Sequence, residues 1–409
     1  MTDLDGRDAP ELPAAVPASS PLEVMVVALR LGLTSFGGPV AHLGYFRREY
    51  VERRRWLDAA TFADLVAMCQ VLPGPASSEL GIAIGTLRAG YLGGLAAWLG
   101  FTLPSAVVLT LFALLSTNLD LATAGWVEGL KLAAVAVVAQ AVYLMARTMT
   151  PDIARAILAV GATIAMLLAP TPVLQVVIIA AGAVLGWRFL VAPQAPSGSP
   201  FRALHDGQVG LGFLVALGFL LLLLPLAAAV TANRALAVTD AFVRTGALVF
   251  GGGHVVLPLL HAAVVTPGWI GNDRFLAGYS VAQAVPGPLF TFAAFLGASF
   301  LAPPDGVPGA LLALGAIFLP AFLLVWGVLP FWDRLRRSSA FASAIRGTNA
   351  AVVGILLAAL ITPIGTGALH DPLDVVVAAL ALVALVTGRA PPVAVVAVAA
   401  IAGQLLGLS

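Results

Sequence analysis

The chain is long, strongly apolar and almost neutral. It has 409 residues, of which 60% are hydrophobic and 10% charged, with a net charge of +1 and a mean hydropathy of +1.01. Soluble domains carry roughly 25% charged residues, so this composition excludes a soluble protein, and the near-zero net charge argues against a nucleic-acid partner. The single cysteine, Cys69, excludes a disulfide framework and a multi-cysteine metal site.

The first segment, 1–21, is polar, acidic and rich in proline. A cleaved signal peptide would begin with basic residues and continue with an apolar run. We therefore predict that this segment is a disordered cytoplasmic tail in front of the first membrane element.

Two apolar segments with internal breaks follow the tail. The segment 22–46 is interrupted at Phe36-Gly37-Gly38-Pro39, and the segment 61–88 at Pro73-Gly74-Pro75. Glycine and proline interrupt helices, so we predict broken helices that enter the membrane and return to the cytoplasmic side. The alternative is that each segment is a complete, kinked span, which raises the total from about nine crossings to about thirteen.

Four complete spans are predicted next, at 91–117, 123–147, 153–169 and 172–190. Apolar blocks of about 20 residues match the hydrocarbon thickness when they are helical, and the alternation typical of an outer-membrane barrel is absent. These spans complete an amino-terminal transmembrane repeat over 22–191. A linker rich in Pro, Ser and Gly at 192–208 then leads to one further span at 209–230.

The second half, 238–408, repeats the distinctive residues of the first in the same order. Arg30 followed by Phe36-Gly37-Gly38 recurs as Arg244 followed by Phe250-Gly251-Gly252. Gln70 followed by Pro73-Gly74-Pro75 recurs as Gln283 followed by Pro286-Gly287-Pro288. Such an internal repeat indicates two related structural units.

Basic residues indicate that the second unit is inverted. The loop 47–55 contains five arginines, whereas its counterpart 255–273 contains none, and the bias reverses again at two further pairs of loops. Lys and Arg favour the cytoplasmic side of a membrane, so the reversed bias predicts that the second copy is inverted. The one extra span at 209–230 would produce this inversion. The predicted fold is therefore an all-α polytopic membrane protein with two inverted-topology repeats, a ground plan of secondary transporters. Its amino terminus would be cytoplasmic and its carboxyl terminus periplasmic.

The breaks are candidate substrate-binding elements. Irregular backbone at membrane depth is tolerated where it lines a cavity, and broken helices aim free N–H groups and positive dipole ends at one place, which favours an anion. The alternative is that the glycines and prolines only kink the helices and bind nothing. Gln70 and Gln283 precede the breaks and can donate hydrogen bonds to oxygen atoms of a substrate.

Arg30 and Arg244 are candidate ligands of an oxyanion. Each lies inside an apolar run, where a charge costs at least about 2.5 kcal/mol and normally faces a cavity or a partner. The guanidinium fork suits the oxygens of an oxyanion, so two such groups from opposed halves could neutralise a dianion. The alternatives are snorkelling to an interface or pairing with a local acid such as Glu23 or Asp240.

Glu79 and Lys131 are the remaining intramembrane candidates. Glu79 stands in an otherwise neutral run after the first Pro-Gly-Pro, and Phe292 occupies its place in the second half. An unpaired intramembrane carboxylate is a candidate proton site, although it could equally be the structural partner of Arg30 or Lys131. Lys131 is a weaker candidate, since it lies near a helix end and could snorkel.

Several classes of function are disfavoured by missing motifs. The sequence contains no phosphate-binding loop and no Cys/His set suited to haem or an iron–sulfur cluster. His42 and His254 flank the breaks at non-equivalent positions, so we predict no metal site. We expect no cofactor and no enzymatic activity. The alternative of an integral-membrane enzyme acting on a lipid-linked substrate would need clustered acid–base residues at an interface.

With these motifs the chain resembles the CHR family of chromate ion transporters, in its long, two-domain form. The resemblance rests on Phe36-Gly37-Gly38-Pro39, the arginine-rich loop with Trp56, the Gln70 to Pro75 motif and the second copy of the breaks. It implies export of chromate across the inner membrane, and hence chromate resistance. Because chromate is a dianion and the cell interior is negative, we expect membrane potential, a proton gradient or both to drive export. Sulfate or another oxyanion is the alternative substrate. The lipid bilayer is the expected surrounding, and a homodimer is left open.

Overall fold

The structure is a computed structural model that describes residues 19–116, 125–191, 207–250, 253–388 and 390–407. Within these ranges every regular element is a helix. Five helices are long and apolar enough to cross a membrane by length and composition. The chain is thus an all-α polytopic membrane protein, as predicted, while the inversion of the second repeat stays a prediction. Most of the predicted tail and linker, together with Gly251 and Gly252, lies outside the described residues.

In the first half, side-chain caps fix where several helices begin. Ser20, Asp58, Asp152 and Thr171 each accept a hydrogen bond from a backbone amide in the first turn of the helix that follows, which satisfies donors that have no partner within the helix. The helices are α1 (Pro21–Thr34), α2 (Gly38–Phe46), α3 (Ala59–Val71), α4 (Ala76–Leu115), α5 (Gly125–Met149), α6 (Ile153–Leu168) and α7 (Pro172–Phe189).

The second half begins with one additional helix and then follows the same order of elements. The additional helix is α8 (Gly207–Thr231). The helices that follow it are α9 (Arg234–Leu248), α10 (Val256–Leu260), α11 (Asn272–Ala284), α12 (Phe292–Ala298), α13 (Gly306–Val328), α14 (Trp332–Leu335), α15 (Ser339–Ala359), α16 (Pro372–Val386) and α17 (Pro392–Leu406). Even a local irregularity recurs, because a π-helical turn follows α2 at Arg47–Arg53 and α10 at His261–Val265.

The helix ends lie close to the predicted spans. α4 is kinked at Ala89 and Gly90, where the backbone leaves helical geometry, and this kink separates the second broken segment from the first complete span. The helices α5 to α8 begin and end within two residues of the predicted spans. α6, α7, α16 and α17 are apolar but shorter than the long spanning helices, so the number of crossings stays a prediction.

The two halves exchange one helix each. α5 packs against α16 and α17 of the second half, and α15 packs against α6 and α7 of the first. Glycines make these contacts close: Gly129 of α5 lies against the backbone of Ala399 in α17, and Gly347 of α15 lies against Gly182 and Gly186 in α7. Small residues at helix crossings are typical of membrane proteins because they let backbones approach. The exchanged helices are therefore the buried centre of the fold.

α8 lies at the periphery. Only 6% of its apolar window is buried, against 72% for α5 and 67% for α15. Its main neighbours are α9 and α13, and Leu217 is one of its few buried side chains. An apolar helix with so much uncovered surface is suited to face lipid rather than water.

Candidate functional site

The breaks of the two halves are joined crosswise. The backbone amide of Gly74 donates to the carbonyl of Val249 at 2.7 Å, and the amide of Gly287 donates to the carbonyl of Ser35 at 3.0 Å. Val249 follows α9 directly before Phe250, and Ser35 follows α1 directly before Phe36. Each Pro-Gly-Pro turn is thus bonded to the residue that directly precedes the Phe-Gly-Gly motif of the other half. The structure brings the predicted motifs into one place.

The backbone at the two turns requires glycine. Gly74 has φ +145° and Gly287 has φ +110°, which L side chains rarely adopt. Gly287 also leaves room for its neighbours, because an added Cβ would stand 2.7 Å from the hydroxyl of Ser105. The glycines therefore permit both the turn and the close approach of the opposite half.

His42 ties the first break to the start of α4. Its side chain is buried, with Nε2 3.2 Å from the carbonyl oxygen of Ser35 and Nδ1 3.2 Å from the hydroxyl of Ser77. Since a carbonyl can only accept, Nε2 donates to Ser35 and Nδ1 accepts from Ser77. The Ser35 carbonyl therefore receives two donors, one from His42 and one from Gly287. From the sequence, His42 was considered only as a possible metal ligand, so this role was not predicted.

The second break has a different set of partners. His254 Nδ1 lies 3.0 Å from the hydroxyl of Tyr279 and 3.5 Å from Nε2 of Gln283. Gln283 therefore contacts the break region, whereas Gln70, its counterpart, is exposed. Phe36, Gly37 and Gly38 are exposed or half-buried, and Phe250 is half-buried.

We call the region where Gly74 and Gly287 bond to the opposite half the crossing. Glu79 is a buried carboxylate in this region. It lies in the first turn of α4 with 0% exposure, and one of its oxygens lies against the α-carbon of Gly74. Neither oxygen has a hydrogen-bond partner within the described residues. Arg30 and Lys131, its two predicted partners, make no described contact with it, so the structural-partner alternative finds no support here.

Other polar atoms around the crossing also lack partners. The hydroxyls of Ser35, Ser78 and Thr102 are buried without a hydrogen bond among the described residues. Ser78 follows Ser77, and Thr102 follows Phe101, whose ring contacts His42 edge-on at 5.4 Å. An unsatisfied buried polar group costs about 1–3 kcal/mol, and native structures keep few of them without a reason. Four such groups lie near one crossing, where bound water or a polar ligand would satisfy them.

The two predicted arginines have different surroundings. Arg244 forms an ion pair with Asp240 one turn earlier in α9 and lines a cavity of about 250 Å³ together with Gln175 and Trp269. This is the local pairing that the sequence offered as an alternative. Arg30 is exposed on α1, and within the described residues no acid pairs with it. Their convergence on one substrate stays a prediction.

Lys131 joins the two halves through ion pairs. Its ammonium group contacts Glu128 and lies 3.0 Å from Asp273 at the start of α11. The lysine side chain is only 4% exposed, so it does not snorkel. Two carboxylates around one buried ammonium favour a structural role over substrate binding.

The arginine-rich turn after α2 is internally paired. Glu49 accepts hydrogen bonds from Arg53 at 3.2 Å and from Arg54 at 2.7 Å. Burial raises the pKa of Glu49, but the hydrogen bonds and charges of the two arginines outweigh burial and bring the pKa below its ordinary value. Within the described ranges, no three His, Cys, Asp or Glu side chains come together to hold a metal ion.

Comparison with known proteins identifies the family. The family model described as chromate transporter matches residues 22–187 and 236–404. The chain belongs to the chromate transporter family. This is a family of transporters and not of enzymes, as the sequence predicted.

Curated relatives match over most of this family member. A probable chromate transport protein of Synechococcus elongatus is 28% identical over 98% of this chain and 99% of its own length. Chromate transport proteins of Pseudomonas aeruginosa and Cupriavidus metallidurans are 30% and 26% identical, over 84% and 83% of this chain and 81% of each relative. No solved structure matches the chain.

Proposed function

We propose that the protein is a secondary transporter that exports chromate across the inner membrane and thereby confers chromate resistance. The observation that carries the proposal is the group of buried, unpartnered polar atoms where the breaks of the two halves cross. Membership of the chromate transporter family and the names of its relatives supply the substrate.

The crossing offers the chemistry that a tetrahedral dianion needs. Helix starts after the breaks present free backbone N–H groups and a positive dipole end, and Ser35, Ser78 and Thr102 can donate hydroxyl protons. Arg30 would supply the positive charge, because Arg244 is already compensated by Asp240. Such a site recognises shape and charge, so sulfate is the competitor to be tested.

Glu79 is proposed as the coupling residue. An ionised carboxylate without a partner is costly to bury, and it would also repel a dianion at the same crossing. Proton binding to Glu79 would therefore permit anion binding, and proton loss would oppose it. Membrane potential supplies the drive, since moving two negative charges out of a negative interior releases about 4.6 kcal/mol at 100 mV, of which a proton carried out with the anion consumes about half.

The topology is proposed to be inverted, with the amino terminus in the cytoplasm and the carboxyl terminus in the periplasm. The repeated order of elements supports two equivalent halves, from 22–191 and from 238–408, with α8 as the helix between them. The reversal of the arginine bias supports their inversion. The breaks would then be re-entrant from opposite sides.

Uptake of labelled chromate and labelled sulfate into everted vesicles tests the function. An exporter accumulates chromate in such vesicles when the interior is positive. Arg30→Gln should abolish accumulation at normal expression, while the exposed loop variant Arg48→Gln should transport like the wild type. Accumulation of sulfate alone would replace chromate as substrate, and accumulation of neither anion would refute the proposal.

The double variant Asp240→Asn/Arg244→Gln separates two roles of Arg244. If Arg244 only balances Asp240, Arg244→Gln should be impaired and the double variant should recover transport. If Arg244 binds the anion, the double variant should remain inactive.

Glu79→Gln tests the coupling. The amide is similar in shape and cannot ionise, so chromate transport driven by potential should persist while its response to an imposed pH gradient disappears. A pH response equal to that of the wild type would remove Glu79 from the proton path.

A further inference from the structure

A second cavity, lined by charged and apolar residues, lies away from the crossing. It is an open depression with a volume of about 540 Å³, lined by the first turn of α6, the end of α7 and Arg346 of α15. None of the break residues lines it. Its place in the fold is therefore separate from the proposed chromate site.

The cavity carries a surplus of positive charge. Arg155 and Arg346 line it together with one acid, Asp152. Asp152 is committed to Arg155, whose Nη2 lies at 2.5 Å, and it also caps α6 by accepting from the Arg155 amide at 2.9 Å. Arg346 donates one N–H to the carbonyl of Val191 at 2.9 Å. It also feels the charge of Asp152, but it forms no salt bridge among the described residues. Most of its five donors remain available to an anion.

The rim of the cavity is apolar and uncovered. Ile153 is 80% exposed, Phe189 69% and Val191 89%. Arg188 stacks on the ring of Phe189 at 5.3 Å. Apolar and aromatic side chains beside arginines are the composition of a membrane–water interface, where the apolar parts meet acyl chains and the charges meet headgroups.

The corresponding place in the other half has the opposite charge. Gly129 corresponds to Gly347 in the repeat, so Glu128 stands where Arg346 does. Asp374 lies three residues after the N-cap of α16, just as Arg155 lies three residues after the N-cap of α6. The two arginines are thus replaced by acids, and an anion is favoured at only one of the two places.

We propose that this cavity binds the headgroup of an anionic phospholipid. The phosphodiester oxygens would accept from Arg346 and Arg155 in charge-assisted hydrogen bonds, and the acyl chains would lie along Ile153, Phe189 and Val191. A soluble anion would use the arginines but would leave the apolar rim uncovered, which is why a lipid fits better.

Native mass spectrometry of the purified full chain tests the proposal with phosphatidylglycerol and phosphatidylcholine vesicles as lipid sources. We expect retention of phosphatidylglycerol over phosphatidylcholine, and at least about tenfold weaker retention in Arg346→Gln, because charge-assisted hydrogen bonds are lost. Arg346→Lys keeps the charge without the fork and should be intermediate. Arg48→Gln removes an exposed arginine elsewhere and should bind like the wild type.

Two results would overturn the proposal. One is equal retention of phosphatidylglycerol by the wild type and Arg346→Gln. The other is displacement of the lipid by millimolar inorganic phosphate, which would assign the cavity to a soluble anion. If Arg346→Gln folds poorly, Arg155→Gln gives the same comparison, and unchanged retention in that variant refutes the site equally.

Discussion

Gly287→Ala is expected to damage both stability and transport, because this glycine makes one of the two crosswise bonds. Its amide donates to the Ser35 carbonyl at 3.0 Å, and its φ is +110°. A Cβ at this position would stand 2.7 Å from the Ser105 hydroxyl and 3.4 Å from the Phe101 carbonyl. The substitution therefore strains the backbone and pushes the turn away from the opposite half.

The expected cost has two parts. A side chain in a sparsely populated backbone region costs about 1–3 kcal/mol, and crowding a packed site by one methyl costs about 1–3 kcal/mol. Together they lower the free energy of unfolding by about 2–6 kcal/mol, of which the crowding is specific to the crossing. Transport per folded molecule should also fall, since the shifted turn displaces the Ser35 carbonyl.

Gly268→Ala is the matched control. Gly268 also has positive φ, +75°, but no atom lies within 4 Å of an added Cβ, so only backbone strain of about 1–2 kcal/mol applies. Thermal unfolding in detergent and chromate uptake into everted vesicles would be measured for both variants. If Gly287→Ala unfolds and transports like Gly268→Ala, the crossing is neither tightly packed nor functional.

Two further predictions concern residues outside the crossing. Asp58→Ala should lose about 0.5–2 kcal/mol as the cap of α3 is removed, whereas Asp58→Asn keeps the cap. Hydrogen bonds from the Thr61 amide and hydroxyl, which outweigh burial, hold the pKa of Asp58 below its ordinary value. The greater stability of the wild type over Asp58→Asn should thus be present above pH about 4 and be lost as the pH falls through the lowered pKa. A Tm difference between the two that does not change with pH would contradict this. Lys131→Met should lower the free energy of unfolding by about 3 kcal/mol, since Glu128 and Asp273 lose their shared cation. Transport per folded molecule should be unchanged, and an inactive but stable variant would return Lys131 to the substrate site.

Local features of the sequence predicted much of the fold. The lengths of the apolar blocks predicted the helices α5 to α8, because a spanning helix must match the thickness of the hydrocarbon layer. The glycines and prolines of the breaks marked where helices end, since these residues alter the backbone wherever they occur. The repeat of Arg30, Phe36 and Pro73 in the second half predicted the repeated order of elements.

Contacts between distant parts of the chain could not be predicted. Nothing near Gly74 in the sequence points to Val249, and nothing near Lys131 points to Asp273, since both pairings depend on how the helices pack. His42 illustrates the same limit. Its position four residues after Gly38 was visible, but the bonds to Ser35 and Ser77 follow only from the bend that the break creates. Asp240 was foreseen as a partner of Arg244 because one helical turn separates them.

The exchange of α5 and α15 bears on how such a protein can be divided. α5 packs mainly on helices of the second half and α15 mainly on helices of the first, so part of the packing of each half depends on the other. The peptide bonds between α7 and α8 do not create the interface but keep the two halves at high effective concentration. Two fragments produced from separate genes are therefore expected to complement each other by inserting α5 and α15 into the opposite fragment. One fragment expressed alone would have one helix without its packing partners and one groove without the helix that fills it.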